Sequence, residues 1–422
     1  MFIVITESDL QAWGRGHVLI RHWAVEHLPE WQQALTGRDH FKDLCTKYTH
    51  IQDQHSGGKS PDLDKYCYPP APRLSLHDVQ PIENGAPAMQ WYLYQICEHI
   101  RKGEKDEAMK FLGVLCHWNE DPGSPSMHSS PVTETVLRQL IPPPKDKENL
   151  NYLFGYGGVC KLEKFTIPDM AYTPRLLGAS ITEAGGRIYQ AQRILRFHNS
   201  QYIIPVVQDA MYGDGTKADE VRSKAALYNA KHVADVIYTT LCLATGRLDP
   251  REAEAPARQP LTEWLSDFTG AMIGHPYYVT PFLIGQAMDA KRALHPLAFS
   301  GGEKVAFGLG MGAPFALDYT IAPGGVYSHF TCRVGLHPTA GEKGEVAFQV
   351  LVNGKIAAKT EPIPSGAPPQ LLRVDLPDTP VVKLTLTTVP APGAPSLDNL
   401  TVWGEPTLHR AESAPAYIPP AP

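Results

Sequence analysis

The chain has 422 residues, which is too long for one ordinary hydrophobic core and indicates two or more domains. Its hydrophobic fraction of 43% is typical of a globular protein, and a net charge of −6 with both signs interspersed excludes a basic surface built for duplex nucleic acid. No apolar run approaches the roughly 20 residues that span a bilayer, and the cysteines form no CxxC pair, which argues against a cysteine-ligated zinc site.

The amino terminus, MFIVITESDLQA, allows two interpretations. Its apolar start is followed by no basic region, and FIVI is shorter than the core of a normal signal peptide. The tripeptide Leu10-Gln11-Ala12 is nevertheless an acceptable cleavage site. We therefore expect either the end of a signal peptide on an extracellular or periplasmic protein, or a plain cytoplasmic start.

Up to about residue 250 the apolar residues recur with helical spacing. GHVLIRHWAVEHLPEWQQAL predicts one helical stretch, and PAMQWYLYQICEHIRKGEKDEAMKFLGVLCHW predicts two helices broken at KGEK. The next helical segment opens with Ser180 and carries Glu183 three residues later, which is the spacing of a capping box. ADEVRSKAALYNAKHVADVIYTTLCLATG predicts a long helix that ends at Gly246.

After the charged, proline-bearing segment RLDPREAEAPARQP, the pattern changes to a period of two. The runs GEVAFQVLVNGKIAAKT, LLRVDLP and VVKLTLTTV predict strands, and Asn353-Gly354 predicts a hairpin turn. We therefore expect an all-α domain followed by an all-β, jelly-roll-like sandwich. The predicted ranges are a helical domain at 13–247, a connector at 248–295, a sandwich at 296–408 and a proline-rich, disordered tail at 409–422.

The segment CHWNEDPGSPSMH brings His117, Asp121 and His128 close together in the sequence. On a helix, residues four apart share a face, so His117 and Asp121 are placed to bind one ion. His128 lies beyond a turn favoured by Pro122 and Gly123. Imidazole and carboxylate are ligands that suit zinc, and a buried carboxylate is costly unless it is paired or metal-bound. The HxxxD spacing is common, however, so a purely structural role stays open for the pair alone.

The segment WGRGHVLIRHWAVEHLP, which begins at Trp13, resembles the amino terminus of the zinc-dependent phospholipase C and single-strand nuclease superfamily. HWNEDPGSPSMH resembles the HxxxDxxxPxH block of the same superfamily, with one more residue before the last histidine. The resemblance covers residues 13–247. It implies an all-helical fold with a cluster of Zn²⁺ ions at the floor of a cleft, and hydrolysis of a phosphodiester in a lipid or a single-stranded nucleic acid.

The same resemblance implies which residues bind zinc. Trp13 would use its amino group and carbonyl, which requires removal of residues 1–12, and His17 stands one position closer to it than in the single-strand nucleases. An aspartate and a histidine are expected between the two blocks, and Asp53 and His77 are the best candidates. Asp53 and Asp121 are also the implied catalytic carboxylates. The full set of implied metal ligands is Trp13, His17, Asp53, His77, His117, Asp121 and His128.

The sequence departs from the superfamily at the third zinc position. Where a histidine and a carboxylate are expected, in ENLNYLFGYG, Asn151 and Gly155 stand instead. An amide oxygen is a weak zinc ligand and glycine offers no side chain. We therefore expect two Zn²⁺ ions, with a third only if other groups join His128. The alternatives kept open are His55 and Asp62 for the intermediate ligands, and His198 and His232 for the third position.

The β region resembles the NPCBM family of carbohydrate-binding modules over residues 296–406. The segments FGLGMGAPFALDYTIAPGGVYSHFTCRVGLHP, GEVAFQVLVNGK and SLDNLTVWGEPTL carry this resemblance by their order and spacing. It implies a sandwich that binds glycans in some members. Sugar recognition needs an exposed aromatic face, which Trp403 or Tyr327 would provide; the alternative is that both belong to the core.

These features predict a divalent-metal-dependent phosphodiester hydrolase with a glycan-binding attachment module and no transmembrane segment. An alternative from another class is a non-catalytic glycan-binding or scaffold protein that keeps a partial metal site. A third is an enzyme that acts on glycans, although no paired-carboxylate motif for that chemistry stands out in the sequence.

Overall fold

The computed structural model describes residues 13, 16–37, 48, 64–72, 74, 80–126, 128–130, 132–150, 152, 166–264, 282–395, 398–413 and 415–420. These residues divide into two compact units. One runs up to Glu252 and takes in Tyr417 and the residues after it, and the other is Ala253–Ala416. The first is helical and the second is built from antiparallel strands, so the predicted fold class is confirmed.

The helices of the first unit follow the predicted segments. Described helices are α1 (Gly16–Glu26), α2 (Glu30–Thr36), α3 (Ile82–Arg101), α4 (Lys105–Glu120), α5 (Glu134–Leu140), α6 (Ile181–Ser200), α7 (Ile203–Tyr212), α8 (Thr216–Thr245) and α9 (Pro250–Glu254, at the division between the units).

Local sequence signals explain where several helices begin and end. The hydroxyl of Ser180 accepts a hydrogen bond from the backbone N–H of Glu183 (3.2 Å), which begins α6 as predicted. Gly103, with φ of 80°, lies in the break between α3 and α4. Gly246, with φ of 68°, ends α8 in the left-handed conformation that glycine adopts without steric cost.

The long helix α8 forms the centre of the helical domain. It contacts α1, α3, α4, α6 and α7. Its second half, from His232 to Ala244, is buried on every side, so the helix is a core element and not an amphipathic surface helix. This central position lets α8 place side chains against the end of α4, where the candidate ligands lie.

In its described residues, the second unit contains two large sheets and a separate two-stranded one. The strands are β1 (Arg258–Pro260), β2 (Leu283–Ile284), β3 (Gln286–Met288), β4 (Leu294–Pro296), β5 (Gly308–Met311), β6 (Phe315–Ile321), β7 (Tyr327–Leu336), β8 (Glu345–Val352), β9 (Lys355–Lys359), β10 (Ile363–Pro364), β11 (Gln370–Asp375), β12 (Val382–Pro390) and β13 (Thr401–Arg410). The first sheet has the order β11-β7-β13-β5-β2, with β1 paired to β13. The second has the order β10-β8-β12-β6, with β9 paired to β8, and β3 pairs with β4 alone.

The two sheets pack face to face. Phe348 of β8 and Trp403 of β13 come from different sheets, and their ring centroids lie 5.4 Å apart in an edge-to-face arrangement. The predicted hairpin at Asn353-Gly354 joins β8 to β9, and both residues have positive φ, at 49° and 77°. These angles suit a turn whose twist matches that of the strands. The unit is therefore an antiparallel sandwich.

The predicted domain boundaries can be placed on this fold. The connector predicted at 248–295 contains β1 and β2, which are strands of the first sheet. The tail predicted from residue 409 begins within β13, and further along the ring centroid of Tyr417 lies 5.4 Å from that of Tyr94 in the helical domain.

Candidate metal centre

Two imidazoles from distant parts of the sequence meet at the end of α4. His17 lies in the first turn of α1 and His117 in the last turn of α4, and their ring centroids are 5.0 Å apart with the rings stacked. Both side chains are buried, at 2% and 1% exposure. Burial of two imidazoles at one point indicates a built site, because polar rings are seldom buried without partners.

Asp121 lies between these two histidines. Its Oδ1 is 3.2 Å from Nε2 of His17, and its Oδ2 is 3.2 Å from Nε2 of His117. The predicted i, i+4 pair of His117 and Asp121 is thus brought together as expected. The helix ends there because Asp121, Pro122 and Gly123 form a short 3₁₀ turn, which directs the Asp121 carboxylate toward α1.

His128 approaches the same carboxylate from beyond the turn. Its Nε2 lies 3.9 Å from Oδ2 of Asp121, which is longer than a hydrogen bond, and its side chain is buried. Three imidazoles therefore surround one carboxylate, two at one distance and the third slightly further away.

A second carboxylate, Glu120, holds His17 in place. Oε2 of Glu120 is 2.7 Å from Nδ1 of His17, and Oε1 is 2.6 Å from Nε of Arg21. All three side chains are buried. A carboxylate on the second nitrogen of a metal-binding histidine fixes its ring and tautomer. With Nδ1 donating to Glu120, His17 presents Nε2 toward Asp121.

The electrostatics of the cluster favour charged pairs. Burial alone would lower the pKa of His17, but its hydrogen bonds to Asp121 and Glu120, and their charges, raise the pKa above 6.5. Burial would raise the pKa of Glu120, but the charge of Arg21 and the interactions with His17 lower it below 4.5. Zinc binding to Nε2 of His17 would replace a proton held there.

Trp13 also reaches this cluster. Its indole N–H donates a 2.8 Å hydrogen bond to the carbonyl of Glu120, and the side chain is fully buried. The Trp13 carbonyl accepts a hydrogen bond from the backbone N–H of Gly16 at 2.8 Å. The indole of Trp13 therefore binds the end of α4, and the role of its amino group and carbonyl as zinc ligands stays a prediction.

Side chains from α6 and α8 hold the same helix end. The amide of Asn229 donates to the carbonyl of Glu120, and the amide of Gln192 donates to the carbonyl of Trp118. Asn199 donates to the carbonyl of Gly123 at 2.6 Å. The last carbonyls of a helix have no partner within the helix, so these buried amides take over that role.

The distances fit metal coordination. Two ligands of one zinc ion, each about 2.1 Å from it at a tetrahedral angle, lie roughly 3.4 Å apart. Each Nε2–Oδ distance to Asp121 is 3.2 Å, so an ion would fit on either oxygen. His17, His117 and Glu120 also offer atoms within 4.8 Å of one another. Because Arg21 and Nδ1 of His17 already bind both Glu120 oxygens, Glu120 is placed to orient His17, and Asp121 would be the carboxylate ligand of an ion.

Several predicted residues lie outside the described part of the chain. These are Asp53 and His77, their alternatives His55 and Asp62, and the pair Asn151 and Gly155. Their predicted roles therefore stay predictions.

The histidines suggested for the third zinc position lie elsewhere. Nε2 of His232 is 2.8 Å from Oδ1 of Asn119, and burial, helped by the charge of Arg175, lowers the pKa of His232 to about 3. The ring centroid of His198 lies 4.0 Å from that of Tyr228, and its Nδ1 is 2.9 Å from Oδ1 of the neighbouring Asn199. Among the described residues, the hydrogen bonds of His198 and His232 go to Asn199 and Asn119 and not to Asp121.

Sequence reasoning missed Glu120 and Arg21. Arg21 lies four residues after His17 in a largely apolar helix, so the two side chains share a face, and this spacing could have indicated Arg21. In the β domain, Trp403 and Tyr327 are 0% and 4% exposed, so they belong to the core and neither offers a face to a sugar.

Comparison with known proteins identifies the β domain. Residues 264–409 match the family model of the NPCBM/NEW2 domain, which is about a third of the chain. The chain therefore contains an NPCBM/NEW2 domain that follows the helical domain in the sequence. No curated protein sequence matches the chain significantly. Among the described residues, no helix is both long and apolar enough to cross a bilayer.

Solved structures give weaker likenesses. The structure of CBM51-2 in complex with GlcNAc and INT domains from Clostridium perfringens ZmpB is 17% identical over 36% of this chain and 31% of that one, with a TM-score of 0.27. This chain thus spans about a third of that protein's length. CBM51 from Clostridium perfringens GH95, solved in complex with methyl-galactose, is 17% identical over 36% of this chain and 99% of that one, with a TM-score of 0.29.

The alpha toxin from Clostridium absonum is 9% identical over 95% of this chain and 98% of that one, with a TM-score of 0.30. All three TM-scores are below 0.5, so these likenesses carry no argument about function.

Proposed function

We propose that the helical domain binds divalent metal ions, zinc foremost, and hydrolyses phosphodiesters, while the NPCBM/NEW2 domain attaches the protein to glycans. One observation carries the first part of the proposal. The Nε2 atoms of His17 and His117 meet the two oxygens of one buried carboxylate, Asp121, each at 3.2 Å. A carboxylate that faces a different imidazole with each oxygen is suited to bridge two ions.

Some of the described residues would bind the ions, and others orient those ligands. His17, His117 and Asp121 would hold the ions. Glu120 holds the His17 ring through Nδ1, and Arg21 compensates the charge of Glu120. By the resemblance of the sequence, Asp53, His77 and the main chain of Trp13 would complete the ligand set.

The chemistry follows from the ligand type and the burial. When bound, divalent ions lower the pKa of coordinated water to about 7 and neutralise charge on phosphoryl oxygens. The protein's own contribution is to fix ligands in a buried site, where electrostatic interactions are stronger than in water. The proposed substrate is the phosphodiester of a lipid or of a single-stranded nucleic acid.

The β domain supports the second part of the proposal through its family match. An NPCBM/NEW2 domain joined to a hydrolase would hold the catalytic domain near a glycan-bearing surface. Such surfaces lie outside cells, so we propose an extracellular or periplasmic protein.

Metal content and turnover test the proposal together. Protein reconstituted with zinc should contain about two ions per chain and should hydrolyse bis-p-nitrophenyl phosphate, and both properties should be lost in His117→Ala. His99→Ala is the matched control, because His99 pairs with Glu104 at the end of α3 and is not a predicted ligand. Less than about one ion per chain in the reconstituted protein would overturn the metal site.

The second candidate is a non-catalytic glycan-binding or scaffold protein. The charges of the cluster favour this candidate, because they balance even when no ion is bound. Arg21 pairs with Glu120, and a protonated His17 pairs with Asp121. In that case chelators would leave the melting temperature unchanged and no phosphodiester would be hydrolysed, while glycan binding would persist.

A further inference from the structure

Two histidines lie side by side on the outer face of the sheet that contains β7 and β13. His329 and His409 are paired directly in register. Their rings are parallel to within 3°, with centroids 4.3 Å apart. Their sequence neighbours Phe330 and Leu408 are fully buried, so the two histidines face away from the sandwich core.

Strand register extends this pair across four strands. Arg258 of β1 pairs with His409, and Asp375 of β11 pairs with His329. Residues paired in antiparallel strands share a face, so the four side chains form one row, roughly 14 Å long at about 4.8 Å per strand. Arg373 lies two residues before Asp375 and on the same face. We call these five residues the histidine row.

The charge of the histidine row is mainly positive. Burial lowers the pKa of His409, and so do the charges of His329, Arg258 and Arg373. Burial and Arg373 lower the pKa of His329, whereas Asp375 opposes this shift. Oδ1 of Asp375 is 3.6 Å from Nη2 of Arg373, and both side chains are largely exposed, so this pair neutralises Arg373 only in part.

Other charged groups on the same face are already paired. Arg333 of β7 lies four residues after His329, and its Nη1 and Nη2 are 2.5 Å and 2.7 Å from the carboxylate of Glu303. Glu405, in the bulge of β13, adds a further negative charge near Arg333. An additional anion would therefore be attracted mainly by Arg258 and the two histidines.

Hydroxyl groups hold the two rings in place. Oγ of Ser328 is 2.9 Å from Nδ1 of His329, and Oγ1 of Thr331 is 2.8 Å from Nε2 of His409. In the described part of the chain, the other nitrogen of each ring makes no hydrogen bond. A protonated ring would use that nitrogen to donate to a bound oxygen.

We propose that the histidine row binds an anionic glycan, whose sulfate or carboxylate groups lie on Arg258, Arg373 and the histidine pair. The inference rests on the proposed glycan-binding function and names the class of glycan. A row that crosses four strands suits an extended chain with repeated charges. Because Trp403 and Tyr327 are buried, recognition at this face is electrostatic and does not use stacking on those rings.

The test compares the neutral and sulfated forms of one glycan, dextran, with a carboxylated glycan, polygalacturonate. Binding of the full chain to dextran sulfate, to neutral dextran and to polygalacturonate is measured at pH 7.5 and pH 5.5. The wild type should bind the charged polymers and not dextran, and more tightly at the lower pH, because a bound anion favours protonated His329 and His409. The relative affinity for dextran sulfate and polygalacturonate distinguishes sulfate from carboxylate recognition.

Variants locate the site. Arg258→Ala and Arg373→Ala should each weaken binding by about two- to fivefold, as expected for exposed charges. Asp375→Asn should strengthen it, and His329→Gln with His409→Gln should remove the pH dependence. Lys359→Ala is the matched control, since it removes an exposed positive charge from β9 in the other sheet.

Three results would overturn the inference. Arg258→Ala and Arg373→Ala could behave like Lys359→Ala, which would place anion binding elsewhere. Inorganic sulfate or single-stranded DNA could compete as well as dextran sulfate at equal charge, which would exclude a glycan-specific site. Finally, the protein could bind neutral glycans with no preference for charged ones; in that case the attachment function stands and only the histidine row is refuted. Failure to bind any glycan would instead refute the proposed function of the domain.

Discussion

Nδ1 of His17 lies 2.7 Å from Oε2 of Glu120, although 103 residues separate them in the sequence. The contact fixes which nitrogen of His17 faces Asp121, because the ring cannot rotate without breaking it. Arg21 binds the other oxygen of Glu120 and keeps the carboxylate in position. The site therefore depends on a residue that would not itself bind the ion.

Glu120→Gln should reduce zinc affinity by about 10- to 100-fold, the range found when a group that orients a metal ligand is lost. It should also lower the free energy of unfolding by about 3–5 kcal/mol, because it leaves Arg21 buried without its counter-charge. Zinc titration and urea denaturation measure the two effects. Glu220→Gln is the control, since Glu220 forms only an exposed pair with Lys224. Unchanged zinc affinity in Glu120→Gln would show that His17 is not a ligand.

His117→Ala should remove most of the stabilisation that zinc confers. A ligand at 100 times its dissociation constant stabilises the folded state by about 2.7 kcal/mol, so zinc should raise the melting temperature of the wild type. His99→Ala should keep this increase, because His99 pairs with Glu104 at the end of α3. A zinc-induced increase in His117→Ala equal to that of the wild type would mean that the ion binds elsewhere.

His232 should make the helical domain sensitive to acid. Its pKa is about 3 in the folded protein, owing to burial and to Arg175, and 6.5 when unperturbed. A lowered pKa means that the unfolded chain binds the proton first, so this stabilisation is complete above pH 6.5 and is lost as the pH falls toward 3. Between pH 7 and pH 4.5 the expected loss is about 2.5 kcal/mol.

His232→Gln should reduce this dependence, because glutamine does not titrate. Urea denaturation at pH 7 and pH 4.5 gives the difference, with His198→Gln as the matched histidine control. Equal pH dependence in the wild type and His232→Gln would show that other groups cause the acid sensitivity.

Gly123 and Asn229 should act as a coupled pair. A methyl group at position 123 would overlap the side chain of Asn229, which donates to the carbonyl of Glu120. Gly123→Ala and Asn229→Ala should each destabilise the protein, by about 1–3 kcal/mol for the loss of a buried hydrogen bond. The double variant should cost less than the sum, because the two closest atoms of Asn229, Nδ2 and Cγ, are absent in alanine and only its Cβ, at 2.9 Å, still crowds the added methyl group. Additive effects would contradict the coupling.

The sequence predicted those features that depend on neighbouring residues. Ser180 and Glu183 marked the beginning of α6, and Asn353-Gly354 marked the β8–β9 turn, because capping and tight turns are determined within a few residues. The spacing of His117 and Asp121 likewise determined that they share a face.

Features that depend on packing between distant segments could not be predicted. The contact between Arg21 and Glu120 requires α1 to lie against the end of α4, and no local pattern fixes that arrangement. The burial of Trp403 depends on the opposing sheet, since an alternating strand does not by itself show which of its faces is covered. Only the tertiary structure distinguishes a core aromatic from a sugar platform.

The hydrogen bonds at the end of α4 have a consequence for its dynamics. The last turn of a helix normally frays, but here the carbonyls of Trp118 and Glu120 accept hydrogen bonds from Gln192, Asn229 and Trp13. Opening this turn would require α6, α8 and the segment before α1 to separate as well. Its amide hydrogens should therefore exchange with solvent only when the whole helical domain unfolds, so the candidate ligands belong to the most slowly exchanging part of the domain.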